Sequence, residues 1–278
     1  MSDKVNVIAE IGINHQGDFG LMKKMMLAAK ECGVDYVKSQ KREPKVCLTE
    51  EEYNRPYEGP HSFGSTYGEH KENLELSMAE WEDLFLFAKE IGVNIFMSVF
   101  DAVSADNMNN LGVELFKIGS AEVTKLPLLE KLKSFGKPII LSTGMSTIEE
   151  IDAAVDTLKG SNLTLMHCTS SYPCKETEVN LNVITTLQHR YDIPVGLSGH
   201  YKQGSGAIES AAIALGSRWI ERHFTLDRTM KGTDQSSSLE PTGMARVVKS
   251  IRSVEKALGS KNKVVLECEQ PAREKFRS

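Results

Sequence analysis

Three pairs of residues two apart in the chain carry chemistry that can be read directly: Lys38 with Gln40, Ser198 with His200, and Glu221 with His223. Each pair closes a short run rich in β-branched and apolar residues, and in a strand, residues two apart share a face. Two imidazoles at the ends of consecutive strands suit a shared metal ion about as well as they suit hydrogen-bonded core histidines. Other runs end in the same way. Glu10 closes one, Ser98 another, and Lys117 with Ser120 a third. Ser142 with Thr143 and His167 with Thr169 and Ser170 close two more. Several of these groups lie inside hydrophobic stretches, so a simple return of the chain to water does not explain them as a set. Two lysines and several hydroxyls converging on one place suit an anion that carries phosphate and carboxylate. Spacing alone points to a metal-assisted enzyme acting on a small phosphorylated acid.

The elements that must position these residues form a regular series. Strand-like runs begin at Asn6, Tyr36, Asn94, Leu115, Pro138, Leu163, Pro194 and Trp219, with helical spacing between them. Ser77 with Glu80, and Ser146 with Glu149, have the capping-box arrangement that starts a helix. Met244, Val247, Val248, Ile251, Val254 and Leu258 recur at helical spacing before Gly259, a natural stop. Eight strands alternating with helices predict an α/β protein, a (β/α)8 TIM barrel; an open doubly wound sheet is the alternative. In a barrel, the C-terminal strand ends make the active face, which is where the polar groups lie. The one break in the rhythm is residues 41–76, rich in Pro, Gly, Tyr, Glu and Lys and without sustained periodicity. A connection that long is either functional or disordered, and it follows the second strand, over the active face. The expectation is one domain over residues 1–278, with a short tail from about 260.

Bulk properties narrow the partners. Of the 278 residues 40% are hydrophobic and 26% charged, an ordinary globular balance, and the net charge of -5 does not favour a nucleic-acid surface. No stretch approaches the roughly 20 apolar residues of a membrane helix, and the start of the chain has no leader pattern. Five cysteines, odd in number and without a C-x-x-C pair, read as reduced thiols of a cytoplasmic protein. Cys168, alone at a strand end, reads as packing rather than as a nucleophile.

With these residues in view, the sequence resembles the sialic acid synthase family. The matching segments are AEIGINHQGD from Ala9, VKSQ from Val37, FKIGSAEVT from Phe116, KPIILSTGMST from Lys137 and HCTSSYP from His167. VGLSGH from Val195, ALGSRWIERHFTLDRTMKGTD from Ala214 and SLEP from Ser238 follow in the same order. Each motif alone is weak, whereas the ordered set is specific. The resemblance implies that phosphoenolpyruvate condenses with N-acetylmannosamine or a related aldose, free or 6-phosphorylated. It implies a divalent ion, manganese or magnesium, held by His200 and His223. It assigns Lys38, Ser98, Lys117, Ser120, Ser142, Ser170 and Ser198 to phosphoenolpyruvate, places Glu10, Gln40, Tyr172 and Asp234 on the sugar side, and puts Glu221 near the metal. Glu10 and Glu221 become the catalytic carboxylates, one stabilising positive charge at C2 and either moving the proton of the water that adds there.

Departures from the family's pattern fall at Ser98 (usually Thr), Ser170 (Asn in some relatives) and Gly199 (Asp in most). Relatives continue into an antifreeze-like domain that in a dimer brings an arginine to the partner's sugar site. Here the resemblance runs out near Arg277. Residues 41–76 are therefore expected to cover the sugar, with Arg55, stiffened by Pro56 and next to Tyr57, as its first contact. A homodimer is implied as well. Two other classes fit the same fold: a metal-dependent pyruvate aldolase or lyase, and a non-catalytic barrel that binds a sugar acid. The aldolase gives the two lysines and the hydroxyl set no phosphate to hold.

Overall fold

The alternation of β-branched strands with amphipathic helices closes into a barrel. In a computed structural model, which describes residues 4–277, eight parallel strands pair in sequence order, and β8 returns to β1. They are β1 Asn6–Gly12, β2 Tyr36–Lys41, β3 Asn94–Val99, β4 Phe116–Ile118, β5 Ile139–Ser142, β6 Leu163–Cys168, β7 Val195–Gly199 and β8 Trp219–His223. Each expected run contains its strand, except that β2 runs one residue past YVKSQ to Lys41. The open-sheet alternative is excluded by closure.

Twelve α-helices lie among the described residues. After β1 comes α1 Phe19–Glu31; between β2 and β3 lie α2 Pro44–Cys47, α3 Glu50–Asn54, α4 Tyr67–Glu72 and α5 Met78–Ile91. The rest are α6 Ala102–Leu111, α7 Leu126–Ser134, α8 Ile148–Thr157, α9 Asn182–Tyr191, α10 Ala207–Ala214, α11 Pro241–Leu258 and α12 Gln270–Phe276. The Ser77/Glu80 capping box opens α5 as expected. The one expected at Ser146 lies a residue later, on Thr147 and Glu150. That register turns Ile151 and Ala154 onto the core, while the Ser146 hydroxyl donates to the Gly144 carbonyl at 3.1 Å. In α11, Met244, Val247, Val248 and Ile251 are buried, whereas Leu258 is exposed.

Residues 41–76 are folded rather than irregular. Thr49 with Glu52 and Thr66 with Glu69 cap α3 and α4, and Pro56 pairs with Thr66 in an isolated bridge. Tyr57 and Tyr67 pack on the buried ring of His70. None of these three helices exceeds six residues, too few turns to leave a periodic signal. Residues 260–277 form an exposed tail that contains α12.

Two apolar layers hold the site in place. The larger fills the space between the strands and the surrounding helices. The smaller, Ile8, Phe96, Leu115, Ile140 and Met166 with Tyr36 and Trp219 against them, plugs the barrel. Each of these seven lies two residues before a side chain at the mouth: Glu10, Lys38, Ser98, Lys117, Ser142, Cys168 and Glu221. The pleat therefore sets a polar layer directly above an apolar one. On β7 the plug position is Gly196, where a Cβ would meet the backbone oxygen of Trp219 at 2.6 Å. Only glycine leaves room there for the neighbouring β8 backbone at Trp219.

Candidate active site

The deepest part of the mouth is a set of four crossed charges. Lys38 Nζ lies 2.7 Å from Glu10 Oε2 and 3.7 Å from Glu221 Oε1, and Lys117 Nζ lies 3.3 Å from Glu221. Lys38 also donates to Ser98 Oγ at 2.9 Å, and Ser198 Oγ donates to Glu221 at 3.1 Å. All four charged groups are buried. Burial would push the Glu221 carboxyl up, but the ammonium groups of Lys117 and Lys38 outweigh it and hold the acid below the usual range. Burial likewise works against a charged Lys38, and Glu10 and Glu221 more than reverse it, so that lysine is raised. At Lys117 burial wins over Glu221, and its value is lowered. Such a set is costly to desolvate and repays it only when the charges pair closely. An ammonium has three N–H donors. Lys38 engages Glu10 and Ser98 and turns toward Glu221, whereas Lys117 engages Glu221 and keeps donors for a ligand. Ser142 Oγ is buried without a partner and faces the same space.

Above this floor stand the imidazoles. The His200 and His223 ring centroids are 5.3 Å apart, with Tyr172 against both, at 4.2 Å and 5.6 Å. His200 Nδ1 is bound to the Thr169 carbonyl at 2.8 Å, an arrangement that fixes the ring and leaves Nε2 to accept or ligate. Burial pushes His200 down to about 3, so it is neutral, as a ligand must be. His223 Nδ1 is buried without a hydrogen-bond partner, 3.9 Å from Asp234. Among the described residues no group of three or more His, Cys, Asp or Glu forms a metal cluster. What the site offers is two imidazoles, one neutral and oriented, the other with an orphan nitrogen. That donor set fits an open divalent-ion site in which substrate and water complete the shell.

The mouth encloses about 310 Å³. Every site residue named from the sequence lines it except Arg55. The Arg55 guanidinium lies 4.9 Å over the Tyr67 ring, and the residue borders a separate outer groove with Thr49 and Pro56. Its carbonyl accepts from Tyr67 N at 2.9 Å, which fixes it on the far side of the folded connection. The arginine at the mouth is Arg42. It continues the alternation of Lys38 and Gln40, stacks 3.9 Å over Phe100, donates to Gln40 and lies 3.4 Å from Glu75. Its Nη1 has no protein acceptor among the described residues. Period-two counting past the end of β2 is the signal that finds it.

Glu122 and Met145 also line the mouth, and neither was foreseen. Glu122 follows β4 in a 3-10 turn, buried, and that burial raises its carboxyl. Of the other strand-end groups, Thr143 bonds the Met166 carbonyl, His167 the Val179 carbonyl and Thr169 the Glu178 carbonyl, so they brace loops. Cys168 faces the mouth, its Sγ 3.2 Å from Ser120 Oγ.

Two buried ammonium groups among carboxylates and serine hydroxyls, beneath two imidazoles at the C-terminal face of a (β/α)8 barrel, place the chain among barrel enzymes with an anion-suited mouth. The chain belongs to the NeuB family, which it matches over residues 25–263. It is 43% identical over 273 residues to the human N-acetylneuraminate-9-phosphate synthase, across 97% of this chain and 76% of that enzyme. It is 38% identical over 277 residues to the N,N'-diacetyllegionaminic acid synthase of Campylobacter jejuni, across 96% of this chain and 81% of that one. Among solved structures, the N-acetylneuraminic acid synthetase of Leptospira borgpetersenii, in complex with citrate, superposes with a TM-score of 0.85 at 32% identity. The superposition covers 99% of this chain and 92% of that one.

Proposed function

We propose that this chain condenses phosphoenolpyruvate with an N-acetylmannosamine-like aldose, free or 6-phosphorylated, to give a 3-deoxy-2-ulosonic acid of sialic acid type and inorganic phosphate. The observation that carries the reading is the buried quartet of Glu10, Lys38, Lys117 and Glu221 beneath His200 and His223. The family assignment and the synthase relatives support it. A pyruvate aldolase would leave the lysine donors and serine hydroxyls of the floor without a phosphate to bind.

In this reading, Lys38, Lys117, Ser98, Ser120, Ser142, Ser170 and Ser198 hold phosphoenolpyruvate in the floor with its C3 turned to the rim. Gln40, Tyr172 and Asp234 hold the sugar there, and Arg42 Nη1 meets an oxygen of its distal end. His200 and His223 hold a divalent ion, manganese or magnesium, which when bound supplies Lewis-acid polarisation of the aldehyde oxygen. Holding C3 against the aldehyde carbon supplies much of the rate. The new C–C bond leaves C2 electron-poor, and the Glu10 carboxylate faces that charge. Water adds at C2, Glu10 takes its proton, and the C2–O bond to phosphate breaks. Glu221, held by Lys38, Lys117 and Ser198, stays ionised and fixes the lysines. The reading includes a homodimer and a cytoplasmic setting; the latter suits five free cysteines, and no described helix is long and apolar enough to cross a membrane.

The test is phosphate release from phosphoenolpyruvate across a panel of aldoses, with manganese, with magnesium and with chelator. The bridging oxygen of phosphoenolpyruvate is labelled. Label in the released phosphate is expected, because C–O cleavage sends that oxygen with phosphorus. Label retained in the keto acid, or no aldose dependence, would sink the assignment.

A further inference from the structure

The two strands that carry the imidazoles are joined on their outer face by a buried polar set to which the chemistry gives no part. Arg222 lies between Glu221 and His223 on β8, so its side chain points away from the mouth. It is opposite Gly199 in the β7–β8 pairing and is 1% exposed. Its guanidinium binds the Glu209 carboxylate of α10 and the Tyr201 carbonyl, and both Nη1 and Nη2 donate to the Gln203 carbonyl at 3.1 Å. The Tyr201 ring lies 4.0 Å beneath the guanidinium, and its hydroxyl donates to Glu209 at 2.8 Å. Tyr201 directly follows His200. The fork of Arg222 thus grips the chain just after one imidazole from the residue just before the other.

Gly199 is part of the same fit. A Cβ there would stand 2.7 Å from Tyr201 Cε1 and 3.0 Å from Arg222 Cδ. The space any side chain at this position would need is here filled by the tyrosine and the arginine.

We propose that Arg222, with Tyr201 and Glu209, is a positioning set that fixes the spacing of His200 and His223 for a divalent ion. An apolar filler would cover this face without desolvating an ion pair, so a buried planar fork is retained for geometry. Supports behind metal-binding imidazoles set ring orientation, and their loss typically lowers metal affinity by about 10–100-fold. The inference rests on the reading that these imidazoles hold the ion.

The experiment measures two affinities in the full chain: Mn2+ by titration of its paramagnetic signal, and phosphoenolpyruvate by calorimetry in chelator. Arg222→Lys keeps the charge and loses the fork. The expected result is Mn2+ affinity lowered about tenfold or more, with metal-free phosphoenolpyruvate affinity within about twofold of the parent. Tyr201→Phe should give a smaller loss of the same kind. A folded Arg222→Lys protein with unchanged Mn2+ affinity would overturn the proposal. So would an equal fall in both affinities, which marks a merely structural residue. Should Arg222→Lys fail to fold, Tyr201→Phe decides by the same two measurements. If the parent's Mn2+ affinity survives in both His200→Ala and His223→Ala, the metal reading itself fails and the positioning role falls with it.

Discussion

At the floor of the mouth, Glu10, Lys38, Lys117 and Glu221 stand on strands and are each at most 3% exposed. At the rim, Tyr172 and Asp234 stand on connections, Arg42 just past the end of β2, and Tyr172 is 49% exposed. The floor is placed by hydrogen-bonded strands over an apolar plug, so each charge has a fixed partner before any ligand arrives. The rim is placed by contacts between loops. His61 accepts from Gly232 N at 3.3 Å, and Lys231 lies 4.4 Å over the Phe63 ring, so the connection after β2 leans on the one that carries Asp234. A site built in this way keeps its charge-holding half rigid and leaves the half facing the variable substrate on replaceable loops.

The largest effect should come from the floor. Lys117→Met keeps the packing but leaves Glu221 with one ammonium fewer beside an incoming trianion. Turnover should fall by about 10²–10³-fold, as when a preorganised charge donor is removed. Acceptor KM should change little if floor and rim act separately. A variant with parental turnover and a raised acceptor KM would reverse the division of labour drawn here.

Arg42→Ala tests the rim. Losing one charge-assisted contact of about 1.5–3 kcal/mol should raise the acceptor's KM by roughly tenfold or more. Phosphoenolpyruvate affinity should hold, because its donors lie deeper. A fall in phosphoenolpyruvate affinity instead would place Arg42 in the floor. Running the aldose free and 6-phosphorylated sharpens the result, since a contact to phosphate is lost only with the phosphorylated sugar.

The sequence made the floor legible because alternation is a local rule. Once β2, β7 and β8 are recognised, Lys38, Ser198, Glu221 and both imidazoles follow from counting by two. The barrel was legible for the same reason, from eight short runs with helices between them. The rim was less so. Glu122 is reached through a 3-10 turn whose direction no periodicity encodes. Arg55 was favoured because Pro56 and Tyr57 flank it, yet the bridge of Pro56 to Thr66 turns it outward. What decides such positions is contact between residues far apart in the chain. The shift of the α8 cap from Ser146 to Thr147 is a smaller case, in which burial of Ile151 settled a choice that two neighbouring hydroxyls left open.

Glu122 offers a test in which stability and pH distinguish it from the paired floor acids. Its Oε1 lies 3.6 Å from the Lys125 ammonium, but its Oε2 is buried without a hydrogen bond, and burial outweighs the lysine and raises its carboxyl. A raised carboxyl weighs against the folded state at neutral pH, and that weight lifts as pH falls through the folded value. Glu122→Gln should therefore stabilise the protein by about 1 kcal/mol at pH 7, the lower end of the cost of an unsatisfied buried group. The gain should vanish below about pH 4, where glutamate is protonated in both states. A denaturant series at the two pH values reads it directly. A constant difference at both would mean that packing, not charge, sets the effect.

The smallest effect is expected at Arg55, which makes it the sharpest check on where the rim ends. Its guanidinium stacks on Tyr67 at the surface, its side chain has no ion pair among the described residues, and it borders a groove apart from the mouth. An exposed cation–π contact contributes about 0.5–1 kcal/mol. Arg55→Ala should therefore lower stability by no more than that and leave both KM values and turnover within about twofold, the size of an ordinary surface substitution. The paired comparison with Arg42→Ala matters more than either value alone. Both arginines lie in the same connection and both stack on an aromatic ring, at 3.9 Å on Phe100 and 4.9 Å on Tyr67. They differ in whether the guanidinium faces the enclosed volume. If Arg55→Ala matches Arg42→Ala in raising the acceptor's KM, the whole connection closes over the sugar during turnover and the rim extends to α3. If only Arg42→Ala does so, the acceptor is recognised by the strand-end extension of β2, and the helices beyond it serve to hold that extension in place.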